Sequence, residues 1–194
     1  MQFAGVRALV GVDCEVRIGE TLGVIGPNGA GKTTFVNVLS GFQEPDDGKV
    51  SLDRTDITGV SPQARARMGL LRTFQGSHSF TELSVFENVE VSALGVGRSR
   101  RESRRLAGEA LAASRLTDLA ERPAGSLTTG QERRLQVARA LAARPRYLLL
   151  DEPAAGLNED ETDHLMEVIK GLPAQLGCGV LLIEHDMRVV MGCC

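Results

Sequence analysis

Aromatic side chains are scarce, at 4% of the 194 residues. Any core must therefore be built mainly from aliphatic side chains. Charge of one sign is also lacking. A formal net charge of −3 gives no bulk attraction to nucleic acid or to anionic lipid. Cysteine is limited to Cys14, Cys178, Cys193 and Cys194. Their spacing fits neither a zinc site nor a disulfide framework, so they read as reduced thiols. No apolar run approaches the roughly 18–20 residues of a membrane span. The longest, such as "GVLLI" at 179–183, have the length of a strand. The opening "MQFAGVRALV" lacks a charged segment followed by an apolar one, which argues against a signal peptide. Internal repeats and low-complexity tracts are missing too. If such a chain acts at a membrane, it acts from the cytosolic side through a partner.

What is present suits one domain: 42% hydrophobic and 24% charged residues suffice to bury a core. "LVGVDCEVRIGETLGVIG" (9–26) alternates and predicts two short strands around a turn at Gly19. A glycine-rich loop and a helix over 32–40 follow. "GKVSLDRTDI" (48–57) predicts a strand with a loop. Ser61 and Pro62 have the N-cap and first-turn chemistry of a short helix. "LLRTFQ" (70–75) predicts a strand ending in a polar residue. From 83 to about 143 the pattern is helical, in "LSVFENVEVSAL" and "RESRRLAGEALAASRLTDLA" joined by a glycine-containing link at 95–97. This stretch predicts a helical subdomain inserted in an α/β core. "RYLLLDEP" (146–153) and "GVLLIEHD" (179–186) predict buried parallel strands with polar carboxyl ends. Between them "NEDETDHLMEVIKGL" (158–172) predicts a helix capped by Asn158 and ended by Gly171 and Pro173, with Leu165, Val168, Ile169 and Leu172 as its apolar stripe.

The most specific chemistry lies in "GPNGAGKTT" (26–34), which fits the phosphate-loop spacing between a predicted strand and a predicted helix. Gly26, Gly29 and Gly31, with Pro27, Asn28 and Ala30 between them, let the loop backbone curl so that its N–H groups, which proline lacks, face phosphate oxygens. The helix start at Lys32, Thr33 and Thr34 adds partial positive charge. Lys32 can reach the β- and γ-phosphates, and the Thr33 hydroxyl suits Mg²⁺. A phosphate loop needs a metal-binding acid on a neighbouring strand, and Asp151 ends "YLLLD". Glu152 next to it is placed to orient or deprotonate an attacking water.

In this order "GPNGAGKTT", "RTFQ", "LTTGQERRL", "YLLLDEPAAGLN" and "LLIEHD" resemble the ATP-binding subunit of an ABC transporter, over residues 3 to about 191. More narrowly, "RTFQ" and "DEPAAGLN" resemble the branched-chain (hydrophobic) amino acid importer type. The resemblance implies an α/β fold: a P-loop NTPase core with an antiparallel β edge and an inserted helical subdomain over 83–143. It implies one ATP-binding domain over 1–194, truncated at both ends. In the family a first core strand precedes the position of Phe3, and further strands and a helix follow the His185 helix, where this chain stops at "MGCC".

The resemblance also implies roles. Phe3, 29 positions before Lys32, matches an aromatic that stacks on adenine. Gln75 matches a glutamine that contacts Mg²⁺ or water and senses the membrane partner. His185 matches the histidine that meets the γ-phosphate, and with Glu152 and Gln75 it makes up the catalytic set. Thr33, Gln75 and Asp151 are the metal set. Thr128, Thr129, Gly130 and Gln131 match the signature loop, which binds the ATP held by the opposite subunit. Thr128 offers a hydroxyl in place of the usual serine. Thr129 stands where many members have glycine, and a β-branched residue disfavours φ > 0 there. Asn158 replaces a frequent aspartate and can still hydrogen-bond across the interface.

The cofactors so implied are ATP and Mg²⁺. The implied partners are a second ATPase subunit, identical or not, an integral membrane permease and, indirectly, an extracytoplasmic solute-binding protein. The implied location is the cytoplasmic face of the membrane. His78 and His164 read as solvated. Arg98, Arg100, Arg101, Arg104 and Arg105 resemble a nucleic-acid patch. The chain is acidic and no aromatics interleave for stacking, so they read as a solvated helix start with no nucleic-acid partner. Two other readings stay open: a soluble ABC ATPase not coupled to transport, and an inactive truncated remnant.

Overall fold

The computed structural model describes residues 2–3, 6–73 and 79–194, with side chains from residue 8 onward. Two residue pairs, β1 (Gln2–Phe3) and β2 (Val6–Arg7), form a minimal antiparallel ladder. The central sheet follows: β3 (Thr21–Ile25), β6 (Leu70–Arg72), β7 (Tyr147–Asp151) and β8 (Gly179–Glu184). All its pairs are parallel and the order is β3-β8-β7-β6. A small antiparallel hairpin, β4 (Ser51–Leu52) with β5 (Thr55–Asp56), lies apart. Its two turn residues, Asp53 and Arg54, have φ of 47° and 69°, as the tight primed turn of a hairpin requires. Asp53 in turn holds Arg146 at 2.5 Å and Tyr147 Oη at 3.2 Å, fixing the hairpin against the start of β7.

The apolar runs of β7 and β8 are continuous because both faces of the sheet are covered. Leu148, Leu150, Val180 and Leu182 point into the larger core, with Leu135 and Ala138 of α5 (Thr129–Ala142) and Leu165, Ile169 and Leu172 of α6 (Glu159–Leu176). Leu149, Leu181 and Ile183 point the other way, onto Val36 of α1 (Lys32–Ser40). Alternation along each strand therefore assigns one set of leucines to each layer. The scarcity of aromatics is met here by leucine, valine and alanine.

The helical stretch contains α3 (Val85–Gly95), α4 (Arg100–Ala113) and α5. Val85, Val89, Ala93, Leu106, Ala107 and Leu111 share the larger core with β7 and β8. Ser84 and Ser99 cap α3 and α4. The single helix suggested by "RESRRLAGEALAASRLTDLA" stops at Ser114. Arg115 takes φ 54°, and only a short turn at Thr117–Leu119 follows. Three of these arginines pair with acids of the same stretch while staying exposed: Arg98 meets Glu102 at 3.5 Å, Arg104 meets Glu90 at 3.7 Å, and Arg105 pairs with Glu109.

Two further expectations change. In 9–26 only Thr21–Ile25 is a strand. The turn at Gly19 is present, with φ 87°. Residues 9–18 pair with no strand among the described residues, and Val10 and Val12 are exposed. Alternation makes a strand only where a neighbour supplies the ladder. The helix α6 runs through Gly171 and Pro173 to Leu176, ending at Gly177 in the left-handed region. Proline removes one internal hydrogen bond there, but Leu172 and Ile169 are fully buried and hold the last turns in place.

Between α1 and the sheet edge sits Arg65, in α2 (Pro62–Arg67), only 1% exposed. Its guanidinium donates to the carbonyls of Val38, Leu39, Ile57, Thr58 and Val60 at 2.6–2.9 Å. Val38 and Leu39 lie in the last turn of α1, where carbonyls lack the regular helical partner; the Val38 carbonyl also accepts the Gly41 N–H at 3.2 Å. A cation at a helix carboxyl end is also favoured by the helix dipole. One side chain thus ties α1, the segment after the hairpin and α2 together.

Candidate functional site

Because every strand of the central sheet runs the same way, all four carboxyl ends open on one edge, the place where open α/β sheets form a crevice. Register sets what lies there. Ile25, just before the glycine loop, pairs with Glu184, and Asp151 pairs with Ile183. The loop 26–31, the pair Asp151–Glu152 and His185 are thereby carried to one edge.

The glycine loop leads directly into α1. Gly29 and Gly31 have φ of 83° and 90°. A Cβ on Gly31 would lie 2.3 Å from the Ala8 carbonyl, so this position requires glycine twice over. Gly31 is also the N-cap of α1 and provides no side-chain cap. The N–H groups of Lys32, Thr33 and Thr34 have no earlier helical carbonyl to meet, which leaves a helix start suited to an anion. Lys32 is 9% exposed. Its Nζ donates to the carbonyls of Gly26 at 2.6 Å and Pro27 at 3.1 Å, folding the ammonium over the loop. Pro27, Asn28, Gly29, Ala30 and Thr33 are exposed, while Gly26 and Thr34 are half-buried.

Asp151 is buried at the end of β7. Its Oδ2 accepts from Arg72 Nη2 at 2.9 Å. The other guanidinium nitrogen donates to Asn37 Oδ1 at 2.7 Å and Ser40 Oγ at 3.2 Å on α1. The next residue, Glu152, takes φ 45°, a left-handed conformation that costs a non-glycine residue about 1–2 kcal/mol. It is held there by its N–H on the Ile183 carbonyl at 2.9 Å. Strain of this kind gathers at sites that need a fixed side-chain direction.

His185 is exposed, and its Nδ1 lies 3.8 Å from Glu184 Oε2. Glu184 itself is fully buried. Burial pushes its carboxyl above the usual range; the N–H groups of Ala154 and His185 and the His185 ring oppose the rise, and Glu152 adds to it.

The signature residues lie elsewhere, at the start of α5. Thr128 is its N-cap: Oγ1 accepts from Gln131 N–H at 3.3 Å, and Gln131 Oε1 accepts from Thr128 N–H at 3.0 Å. Thr129 is the first helical residue, and no positive φ occurs there. The backbone penalty expected for a β-branched residue is therefore absent. Gly130 packs against α6, where a Cβ would come within 2.5 Å of the Glu161 carboxylate. Asn158 caps α6 through a reciprocal pair with Glu161. Thr128, Gly130, Gln131, Arg134, Glu161 and His164 line one recess of about 210 Å³. His164, read from sequence as solvated, is exposed and borders it.

Phe3 is described by its backbone alone, in β1. Gln75 and His78 lie outside the described residues. Two residues with a place at the site carry no role in the sequence reading: Arg72 and Glu184. Each is a charged residue at the end of an apolar strand, which was the signal available.

The oxygen donors present, a threonine hydroxyl and one carboxylate, fit a hard cation such as Mg²⁺. No cluster of three or more acidic, histidine or cysteine ligands occurs among the described residues. That donor set suits an ion held chiefly by nucleotide phosphates and water rather than by a protein cage.

The family described as "ABC transporter" matches residues 9–155. The chain belongs to the ABC transporter family. It is an ATP-binding subunit of that family. Among its relatives is the high-affinity branched-chain amino acid transport ATP-binding protein BraF of Pseudomonas aeruginosa, 43% identical over 206 residues, covering 98% of this chain and 81% of BraF. The methionine import ATP-binding protein MetN of Rhizobium johnstonii is 37% identical over 195 residues, covering 98% and 53%. The ADP conformation of MJ1267, an ATP-binding cassette of an ABC transporter, superposes with a TM-score of 0.88 at 32% identity, covering 98% of this chain and 80% of that one. The dimeric post-hydrolysis state of the cassette MJ0796, bound to ADP and Pi, gives 0.83 at 28% identity, covering 95% and 83%. The α/β core with its helical stretch is thus the ABC ATPase fold. No described helix of the ABC chain is long and apolar enough to cross a membrane.

Proposed function

We propose that this chain hydrolyses Mg-ATP as a subunit of an ABC importer, at the cytoplasmic face of the membrane, and drives uptake of branched-chain or other hydrophobic amino acids through a separate permease. The observation that carries the enzymatic part is the shared edge: Asp151, Glu152 and His185 stand at or just after the carboxyl ends of parallel strands, and Lys32 opens the helix that follows the loop after a third. Gly26 to Thr34 hold the phosphates, and Thr33, Asp151 and Gln75 hold the metal, which when bound neutralises phosphate charge. The Glu152 carboxylate takes a proton from the attacking water as the bond from the γ-phosphorus to ADP breaks. His185 donates to the γ-phosphate, and Phe3 stacks on adenine.

In this reading the recess at Thr128 to Gln131 receives a second subunit, and the γ-phosphate of the ATP held by that subunit would meet the α5 start. Asn158 lies beside it and would bond across that interface. In this reading residues 1–194 act as one ATP-binding domain and 83–143 as its helical subdomain. Two nucleotides between two such chains close the dimer, and hydrolysis loosens it. The amino acid assignment is supported by likeness to BraF, while likeness to MetN favours methionine as a second reading. A permease partner, and indirectly a solute-binding protein, follow from the same likeness.

Glu152→Gln is expected to abolish hydrolysis and to trap ATP-dependent dimers, read by phosphate release and size-exclusion chromatography. A variant that stays monomeric at saturating ATP would count against the proposal. Reconstitution with the permease that copurifies, followed by leucine and methionine uptake, separates the two solutes.

A further inference from the structure

Glu184 is a fully buried carboxyl that the proposed hydrolytic steps leave unused. Both of its oxygens are engaged, and on different elements. Oε1 accepts the Ala154 N–H at 2.9 Å, in the loop that follows Asp151 and Glu152. Oε2 accepts the His185 N–H at 3.3 Å and lies 3.8 Å from His185 Nδ1. A buried acid is costly to retain unless its hydrogen bonds set something in place. What these bonds set is the spacing between the Glu152 turn and His185. The same loop is held from its other side: Arg133 Nη2, on α5, donates to the Ala155 carbonyl at 3.4 Å. The loop between Glu152 and Asn158 is therefore pinned at neighbouring residues by β8 and by the helix that starts at the signature residues.

We propose that Glu184 is a positioning residue for hydrolysis: it fixes the loop after Glu152 and the backbone of His185 relative to one another, so that the two side chains act on the same γ-phosphate. This rests on the reading of Glu152 and His185 given above. In this role Glu184 acts through Ala154 and His185, the residues its two oxygens meet. The side-chain type matters in a graded way. Glutamine keeps a carbonyl oxygen for Ala154 N–H but turns an NH₂ donor toward the His185 N–H. Alanine removes both acceptors and leaves two part-buried N–H groups without these partners.

The test compares wild type, Glu184→Gln and Glu184→Ala for nucleotide affinity, by fluorescent-ATP titration, and for single-turnover hydrolysis. A displacement of about 1 Å between reacting groups costs about a hundredfold in rate. Glu184→Ala should therefore lose about that factor in the chemical step while its affinity for ATP stays within about threefold. Glu184→Gln should recover part of the rate. Hydrolysis in Glu184→Ala at the wild-type rate overturns the inference. So does a fall in rate matched by an equal fall in affinity, which marks a general loss of structure. If wild type itself turns over no ATP, the reading of the whole site falls, and this inference with it.

Discussion

Arg72 Nη2 stands 2.9 Å from Asp151 Oδ2, with the two side chains only 10% and 1% exposed. The pair joins β6, three residues before Gln75, to the carboxylate proposed to hold the metal. Because Arg72 also donates to Asn37 and Ser40, it connects the sheet with α1 beneath the phosphate loop.

Removing one partner leaves a buried charge uncompensated. Arg72→Met should therefore destabilise the nucleotide-free protein by about 3–5 kcal/mol. Adding Asp151→Asn should restore part of that loss. Urea unfolding of the single and double variants checks this; additive effects would show that the pair is not coupled.

At the phosphate loop, Gly31→Ala combines a φ of 90° with a 2.3 Å approach to the Ala8 carbonyl. Gly29→Ala has a similar φ of 83° and open space around it. The Gly31 variant should lose at least about 3 kcal/mol of stability and the Gly29 variant about 1–2 kcal/mol. Thermal melts without nucleotide distinguish steric conflict from backbone strain, since equal losses would leave the Ala8 contact without effect.

Arg65→Met replaces a guanidinium that serves five carbonyls with a side chain that serves none. We expect at least about 3 kcal/mol of lost stability, with faster amide exchange in the last turn of α1. Arg65→Lys, with three donors on a point charge, should recover a minority of it.

Thiol reactivity should follow burial. Cys14 and Cys194 are exposed, Cys178 and Cys193 buried. Desolvation, helped by Cys194, pushes the Cys193 thiol up to about 11, so near neutral pH it remains protonated and a poor nucleophile. Iodoacetamide at neutral pH, read by peptide mass spectrometry, should modify Cys14 and Cys194 in the folded protein and the other two only on unfolding.

What the sequence by itself determined is whatever local spacing and period can carry. The phosphate loop, its helix, the two apolar strands ending in acids and the capped start of α6 all follow from neighbours within a few residues. Their carboxyl-end crevice follows once the strands are parallel. Tertiary structure decided matters that depend on contacts distant in sequence. Residues 9–18 alternate like a strand but pair with none among the described residues. Pro173 does not end α6, because the burial of Ile169 and Leu172 outweighs one lost hydrogen bond. Thr129 carries no backbone strain, because the cap falls on Thr128. The acid of Glu184 is joined to Ala154 thirty residues earlier, and Arg72 to Asp151 seventy-nine residues later. Period and spacing report which face a side chain takes; only the packed sheet brings two charged groups from different strands within hydrogen-bonding distance.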